Sequence, residues 1–204
     1  MATYAVTRNE AALLSRISSH RINKFIATRV ISTRRRGRRS LIDVSDVSAI
    51  ILLGSLPFRT TIATQREIAD WARVAGPDDE YALSKTVTVR KPIELAALTD
   101  DALEYVRLRD EFVDMSDRNA LGDPVISGTR VSVRSLAAVV DAGETESNIR
   151  RMYPHVDPRA FKVASIWAKA NPRRGRPPLT PDDFVHIPEP KVRGAYIAER
   201  RNNR

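Results

Sequence analysis

Gly122-Asp123-Pro124-Val125-Ile126-Ser127-Gly128-Thr129-Arg130, continued by Val131-Ser132-Val133, is the stretch around which this 204-residue chain is organised. Pro124 fixes its own φ and pushes Asp123 toward extended backbone. Gly122 and Gly128 supply positions where a positive φ costs little. Val125-Ile126 between them read as a short buried plug, and Val131 to Val133 as a strand or the run-in to a helix. Asp123 and Arg130 are expected to form a structural salt bridge across the turn. An amphipathic helix from Ser135 to Asp141 follows, closed by Gly143. A second helix starts at Thr145 and stops at Tyr153-Pro154, because proline cannot continue a helix without losing a hydrogen bond. A third runs from Asp157-Pro158, a capping residue before a proline, to Ala170. Leu136, Val139, Val140, Ile149, Met152, Phe161, Ala164, Ile166 and Trp167 are the expected core of this trihelical module.

Between Gly122 and Ala168 the residues resemble the bacterial domain-of-unknown-function family 433. Pro124, Val125, Ile126, Gly128, Thr129 and Arg130 match its P-V-I-x-G-T-R turn. Ala142-Gly143 match the A-G after its first helix, and Tyr153-Pro154 the Y-P that ends its second. Several fixed glycines and prolines coincide with the spacing, which makes the likeness specific. The resemblance implies a VapB-like antitoxin, commonly encoded beside a PIN-like ribonuclease toxin.

The charge is unevenly spread. Residues 1–56 hold ten Arg/Lys against three Asp/Glu, residues 57–171 hold 16 against 18, and residues 172–204 hold eight against four. A basic head, a near-neutral body and a basic tail favour a polyanionic partner at one end. No apolar run approaches the ~20 residues of a membrane helix. The N-terminus carries no apolar export core, and the absence of cysteine excludes disulfides and thiolate metal sites, so the cytoplasm is the expected compartment.

The basic head has its own pattern. Tyr4-Ala5-Val6-Thr7 is extended, and Thr7 with Glu10 makes a capping box for a helix carrying Ala11, Leu14 and Ile17. Ser18-Ser19 breaks and re-caps the chain before a second short helix, His20 to Ile26. There Ile22, Phe25 and Ile26 share an inner face, leaving His20, Asn23 and Lys24 outside with Arg21 on the flank. Val30-Ile31-Ser32-Thr33 and Ser40-Leu41-Ile42 are β-prone runs flanking Arg34, Arg35, Arg36, Gly37, Arg38 and Arg39, with Gly37 as hairpin tip. Asp43 or Ser45 caps a third helix through Val47, Ile50, Ile51 and Leu53 to Gly54. The order helix, helix, arginine wing, helix resembles the MerR and excisionase winged-helix group. Such a wing can lie along phosphates or enter a minor groove. His20, Arg21, Asn23, Lys24, Arg34, Arg35, Arg36, Arg38 and Arg39 are therefore the candidate DNA contacts. An arginine run can also be a solvated loop or an RNA-binding arm.

In the middle, Thr64 to Val74 reads as an amphipathic helix closed by Gly76-Pro77, with Ile68, Trp71 and Ala75 inward. Asp78-Asp79-Glu80 starts a loop or helix, and Lys85 to Arg90 alternates as a half-buried strand. Pro92 opens a helical stretch, Thr99-Asp100 caps another through Leu108, and Glu111 to Met115 reads as a strand. These strands can pair between protomers or within one chain. Six of the twelve prolines fall in 172–204, where periodicity disappears. Leu179, Phe184, Val185, Ile187, Tyr196 and Ile197, with Arg200 and Arg201, are the candidate toxin-binding residues on this extended tail. Arg174-Gly175-Arg176-Pro177 reads as a linker first and a minor-groove clamp second.

Nothing points to an enzyme. His20, His155 and His186 sit in three different segments, and there is no HExxH, Walker, GxSxG or Rossmann spacing. No cofactor or metal is expected. The expected architecture is mainly α with small β elements: an N-terminal winged helix-turn-helix domain over 1–56, a short α/β connecting or dimerisation region over 57–108, a C-terminal trihelical, helix-turn-helix-like module over 109–171, and an extended tail over 172–204. The expected role is an antitoxin that represses its own operon as a homodimer on operator DNA and joins its toxin in a hetero-oligomer, without a membrane. The alternatives are a stand-alone winged-helix regulator or excisionase-like factor, and an architectural nucleic-acid binder.

Overall fold

The computed structural model describes residues 4–36, 39–119 and 122–173, with backbone only at Arg36, Arg39 and Ile93. These residues are mainly helical, with three small antiparallel sheets.

β1 (Ala5–Thr7) runs into α1 (Arg8–Ser15) through the expected capping box: the Glu10 amide donates to Thr7 Oγ1 and the Thr7 amide to Glu10 Oε2, at 3.3 and 2.7 Å. α2 (Ser19–Ala27) starts on the Ser18 hydroxyl and buries Ile22 and Phe25. Val30 and Ile31 are not a strand. Both amides donate to the Phe25 carbonyl, so the pair folds under the end of α2 as core. The strands lie in the arginine run itself: β2 (Arg34–Arg36) pairs with β3 (Arg39–Asp43), and β1 pairs with the other edge of β3. Val6 and Ile42, directly opposite each other, are both fully buried.

Asp43 starts α3 (Ser45–Ser55), its Oδ1 accepting from the Ser45 amide and hydroxyl. Gly54 does not cap this helix. It sits inside the last turn, where an added Cβ would lie 2.2 Å from Ile17 Cδ1. Its bareness gives Ile17, which has left α1, a place to pack. α4 (Ile62–Val74) starts on Thr61 and lays Ile68, Ala69 and Ala72, all fully buried, on the inner side. Trp71 is partly covered, against Tyr81. Lys91 Nζ closes α4 by donating to the carbonyls of Ala72 and Ala75.

β4 (Glu80–Ala82) and β5 (Thr88–Arg90) form a hairpin within the chain. The expected strand from Lys85 loses its first half because Ser84 Oγ accepts from the amides of Thr86 and Val87 and turns the backbone there. α5 (Ile93–Phe112) is one 20-residue helix, with no second start at Thr99. The Thr99 hydroxyl donates back to the Leu95 carbonyl at 2.8 Å, the alternative open to threonine inside a helix. α5 also takes Glu111 and Phe112, so β6 (Val113–Arg118) begins later than expected and pairs with β7 (Pro124–Ile126).

In the turn, Gly122 and Gly128 have φ of +77° and +72°. Val125 and Ile126 are buried, the Ile126 amide donates to the Val131 carbonyl, and Thr129 Oγ1 donates to the Ile126 carbonyl while accepting from the Val131 amide. Asp123 does not pair with Arg130. Its carboxylate takes Arg134 Nε at 2.7 Å, and Arg134 then lies over Trp167, 5.2 Å from the ring centre. Arg130 stands exposed on the far side of Gly128, whereas Arg134 is on the helix that returns over the turn.

α6 (Val133–Asp141), α7 (Glu146–Met152) and α8 (Arg159–Ala170) are the expected three helices, capped by Ser132 and Thr145 in the first two cases. Leu136, Ile149, Phe161, Ala164 and Trp167 are buried, but Met152 is 48% exposed because only Ile149 of α7 turns inward. α8 packs against α6, α5 and α1, and Asn9 Nδ2 donates to the Ala170 carbonyl.

Two outcomes follow from this packing. Gly54→Ala is expected to destabilise by about 1–3 kcal/mol through overpacking, and to cost much less in an Ile17→Ala background, as read from urea midpoints. Asp141 ties α6 to α8, and the hydrogen bonds from Lys169 and then Ser165 hold its carboxyl below the usual value of 3.8. A depressed carboxylate contributes stability above its unfolded pKa and loses it as pH falls through its folded one. Asp141→Asn is therefore expected to flatten the acid limb of a stability–pH curve below about pH 4 and to shift the neutral-pH plateau down.

Candidate nucleic-acid interface

α1 and α2 meet through the tight turn at Arg16, which takes φ +57°, and the β2–β3 hairpin follows directly. α2 is short and strongly two-sided. Ile22 and Phe25 face the core, while His20, Arg21, Asn23 and Lys24 are exposed.

The candidate contacts divide into spent and free groups. Arg21 is spent. Its guanidinium donates to the carbonyls of Gly54 and Leu53, at 2.7 and 2.9 Å, and stands 5.9 Å from the Phe25 ring centre. It satisfies orphan carbonyls at the end of α3, where a cation also suits the helix dipole. Asn23 is half engaged, since its Oδ1 accepts from Arg8 Nη1 at 2.9 Å. Bidentate reading of an adenine uses both amide atoms, so this bond must open for that contact. His20 and Lys24 make no side-chain hydrogen bond or ion pair among the described residues. On the hairpin, Arg34 pairs with Asp43, whereas Arg35 is exposed and unpaired among the described residues. Arg36 and Arg39 are register partners at the end of the hairpin; Gly37 and Arg38 lie outside the described residues.

Sequence reasoning missed four neighbouring cations. Arg8 reaches α2 from the start of α1, Arg16 and Arg29 flank α2 with left-handed backbone, and Arg66 of α4 donates to the Thr28 carbonyl at 2.6 Å. No spacing rule joins Arg8 or Arg66 to α2. Only the folded chain brings them together.

α8 is buried along one side, and its outer side carries Arg159, Lys162 and Lys169, each facing an acidic partner: Asp157 and Glu111, Asp101, and Asp141 respectively. Exposed cations also lie on α7, where Arg150 pairs with Glu146 and Arg151 donates to Asn148. The tail residues Leu179, Phe184, Val185, Ile187, Tyr196, Ile197, Arg200 and Arg201, and the Arg174–Pro177 segment, lie outside the described residues. No helix among the described residues is long and apolar enough to cross a membrane.

Comparison with known proteins finds a match for the turn and its helices. Residues 114–168, from β6 to near the end of α8, match the family described as "Protein of unknown function (DUF433)". This is where the Gly122–Arg130 turn predicts it. The chain is also similar to "Uncharacterized protein y4eO" of Sinorhizobium fredii (strain NBRC 101917 / NGR234), 39% identical over 101 residues, which are 50% of this chain and 42% of that protein. The chain thus spans less than half the length of this relative. No solved structure matches.

The division between spent and free groups is testable without any ligand. Arg21→Ala is expected to lower stability by on the order of 1 kcal/mol, because two carbonyls lose a charged donor. Lys24→Ala is expected to leave the melting temperature unchanged, and calorimetry of the two variants checks both.

Proposed function

We propose that this chain is the antitoxin of a type II toxin–antitoxin pair: it binds operator DNA through α1, α2 and the β2–β3 wing, and holds a ribonuclease toxin of PIN-like chemistry through its C-terminal part. The observation that carries the DNA half is the exposed polar face of α2 set beside an arginine hairpin on the same compact frame. The order β1, α1, α2, β2, β3 suits a winged helix-turn-helix, with α2 for the major groove and the wing along the backbone. The free groups, His20, Lys24 and Arg35, are the working contacts, with Asn23 once it releases Arg8. Arg21 positions α2 rather than reading bases.

The toxin half rests on the family likeness over residues 114–168. Inhibition there needs no chemistry from this chain. An inserted arginine that pairs with the toxin's metal-binding carboxylates is sufficient, and the tail arginines Arg200 and Arg201 are the candidates. A stand-alone winged-helix regulator is the second reading. It is favoured by the burial of α8 against α1 and α5, which makes the C-terminal helices part of the frame.

Each half has its own experiment. Lys24→Ala and Arg35→Ala are each expected to reduce the salt slope of operator binding by about 0.9 with unchanged melting temperature. A slope unchanged in both variants counts against the α2–wing surface. Co-expression with the adjacent reading frame separates the antitoxin from the stand-alone regulator. Rescue of growth with co-purification supports the antitoxin, and a harmless, unbound neighbour removes it. If rescue is lost when the chain is truncated after Arg173, neutralisation lies in the tail.

A further inference from the structure

The sheet β1-β3-β2 has one face on the core, where Val6 and Ile42 are buried. On its other face Thr7, Leu41 and Arg34 stand in one row across the three strands. This second face looks into a cleft of about 750 Å³ whose opposite wall includes Arg109, Met115 and Trp167. The volume lies within the ~300–1,000 Å³ of small-molecule sites.

The polar groups at the inner end are already committed. Arg109 donates to Glu10, Asp110 and the Ala5 carbonyl, which uses its guanidinium on both sides. Arg34 is different. Its side chain is 60% exposed, and Asp43 engages only Nη2. An exposed pair of this kind contributes little and exchanges readily for another anion. Leu41 and Met115, joined by the 5% of Trp167 that stays exposed, supply an apolar floor between these ends.

We infer that this cleft binds a small amphipathic organic anion, with a flat apolar body on Leu41, Met115 and Trp167 and a single acidic group on the free donors of Arg34. Arg35 lines the outer end of the cleft beside Arg34, but at the inner end Glu10 and Asp110 share the wall, and their charge opposes a second anionic group there. The site shares Arg34 and Arg35 with the proposed wing, so an anion here and DNA compete for those two arginines, whereas its apolar residues lie outside the α2 surface.

The test uses the full chain and 1-anilinonaphthalene-8-sulfonate, which joins fused aromatic rings to one sulfonate. The chain has two tryptophans, so proton–nitrogen spectra show two indole signals. Saturable one-site binding that moves the Trp167 indole and leaves Trp71 in place is expected. Arg34→Gln is expected to weaken binding about fivefold. Met115→Glu, which places a carboxylate in the wall, is expected to abolish it while the amide spectrum stays folded. Non-saturable binding, movement of Trp71 in place of Trp167, or equal affinity for wild type and Arg34→Gln overturns the assignment; the last holds even if Met115→Glu fails to fold.

Discussion

The carboxylate of Glu10 holds the frame together. It is 2% exposed, and it accepts from the Thr7 amide, the Tyr105 hydroxyl and Arg109 Nη1. The first bond belongs to the start of α1; the other two come from α5, about a hundred residues away. Arg109 also donates to the Ala5 carbonyl and so grips β1 directly. Burial and the adjacent carboxylate push the Tyr105 hydroxyl far above its ordinary value, which keeps it a donor. A buried charge of this kind is costly to strand, and removing one partner of such a pair typically costs ~3–5 kcal/mol. β1 and α1 at the N-terminal end are thus fastened to α5, the longest helix among the described residues, by an electrostatic knot in place of a purely apolar seam.

What could be read from residues alone was short-range. The Thr7–Glu10 capping box, the caps at Ser18 and Thr145, and the positive φ of Gly122, Gly128 and Gly143 all depend on neighbours within a few positions. Misreadings arose where one residue type has two local solutions. Thr99 can cap a helix or bond back within one, and it does the second. Gly54 can end a helix or admit a neighbour's side chain, and it admits Ile17. Asp123 had arginines at 130 and 134, and only the direction of α6 selects the latter. In the candidate site, the exposed face of α2 was legible from helical periodicity. The loss of Arg21 to α3 and the arrival of Arg8 were not, because both contacts cross between elements.

The same distinction shapes the surface. A run of basic residues looks uniform in one dimension, but folding assigns its members different work. Arg21 closes a helix, Arg34 faces Asp43, Arg134 covers Trp167, and Lys24 and Arg35 keep their charge for solvent. The positive field around α2 therefore comes partly from residues that cannot leave their structural posts.

The closure of the frame also has an order in time. Glu10 waits for Arg109, and Asn9 waits for Ala170, 161 positions further along the chain. At synthesis rates of ~5–20 residues per second, the N-terminal helices emerge several seconds before their partners exist. During that interval the buried acid has only its own capping box, and the apolar face of α1 has no α8 to cover it. A nascent chain of this kind presents its basic segment to the cell before it has a completed fold, which makes the ribosome-bound stage the one most open to proteases.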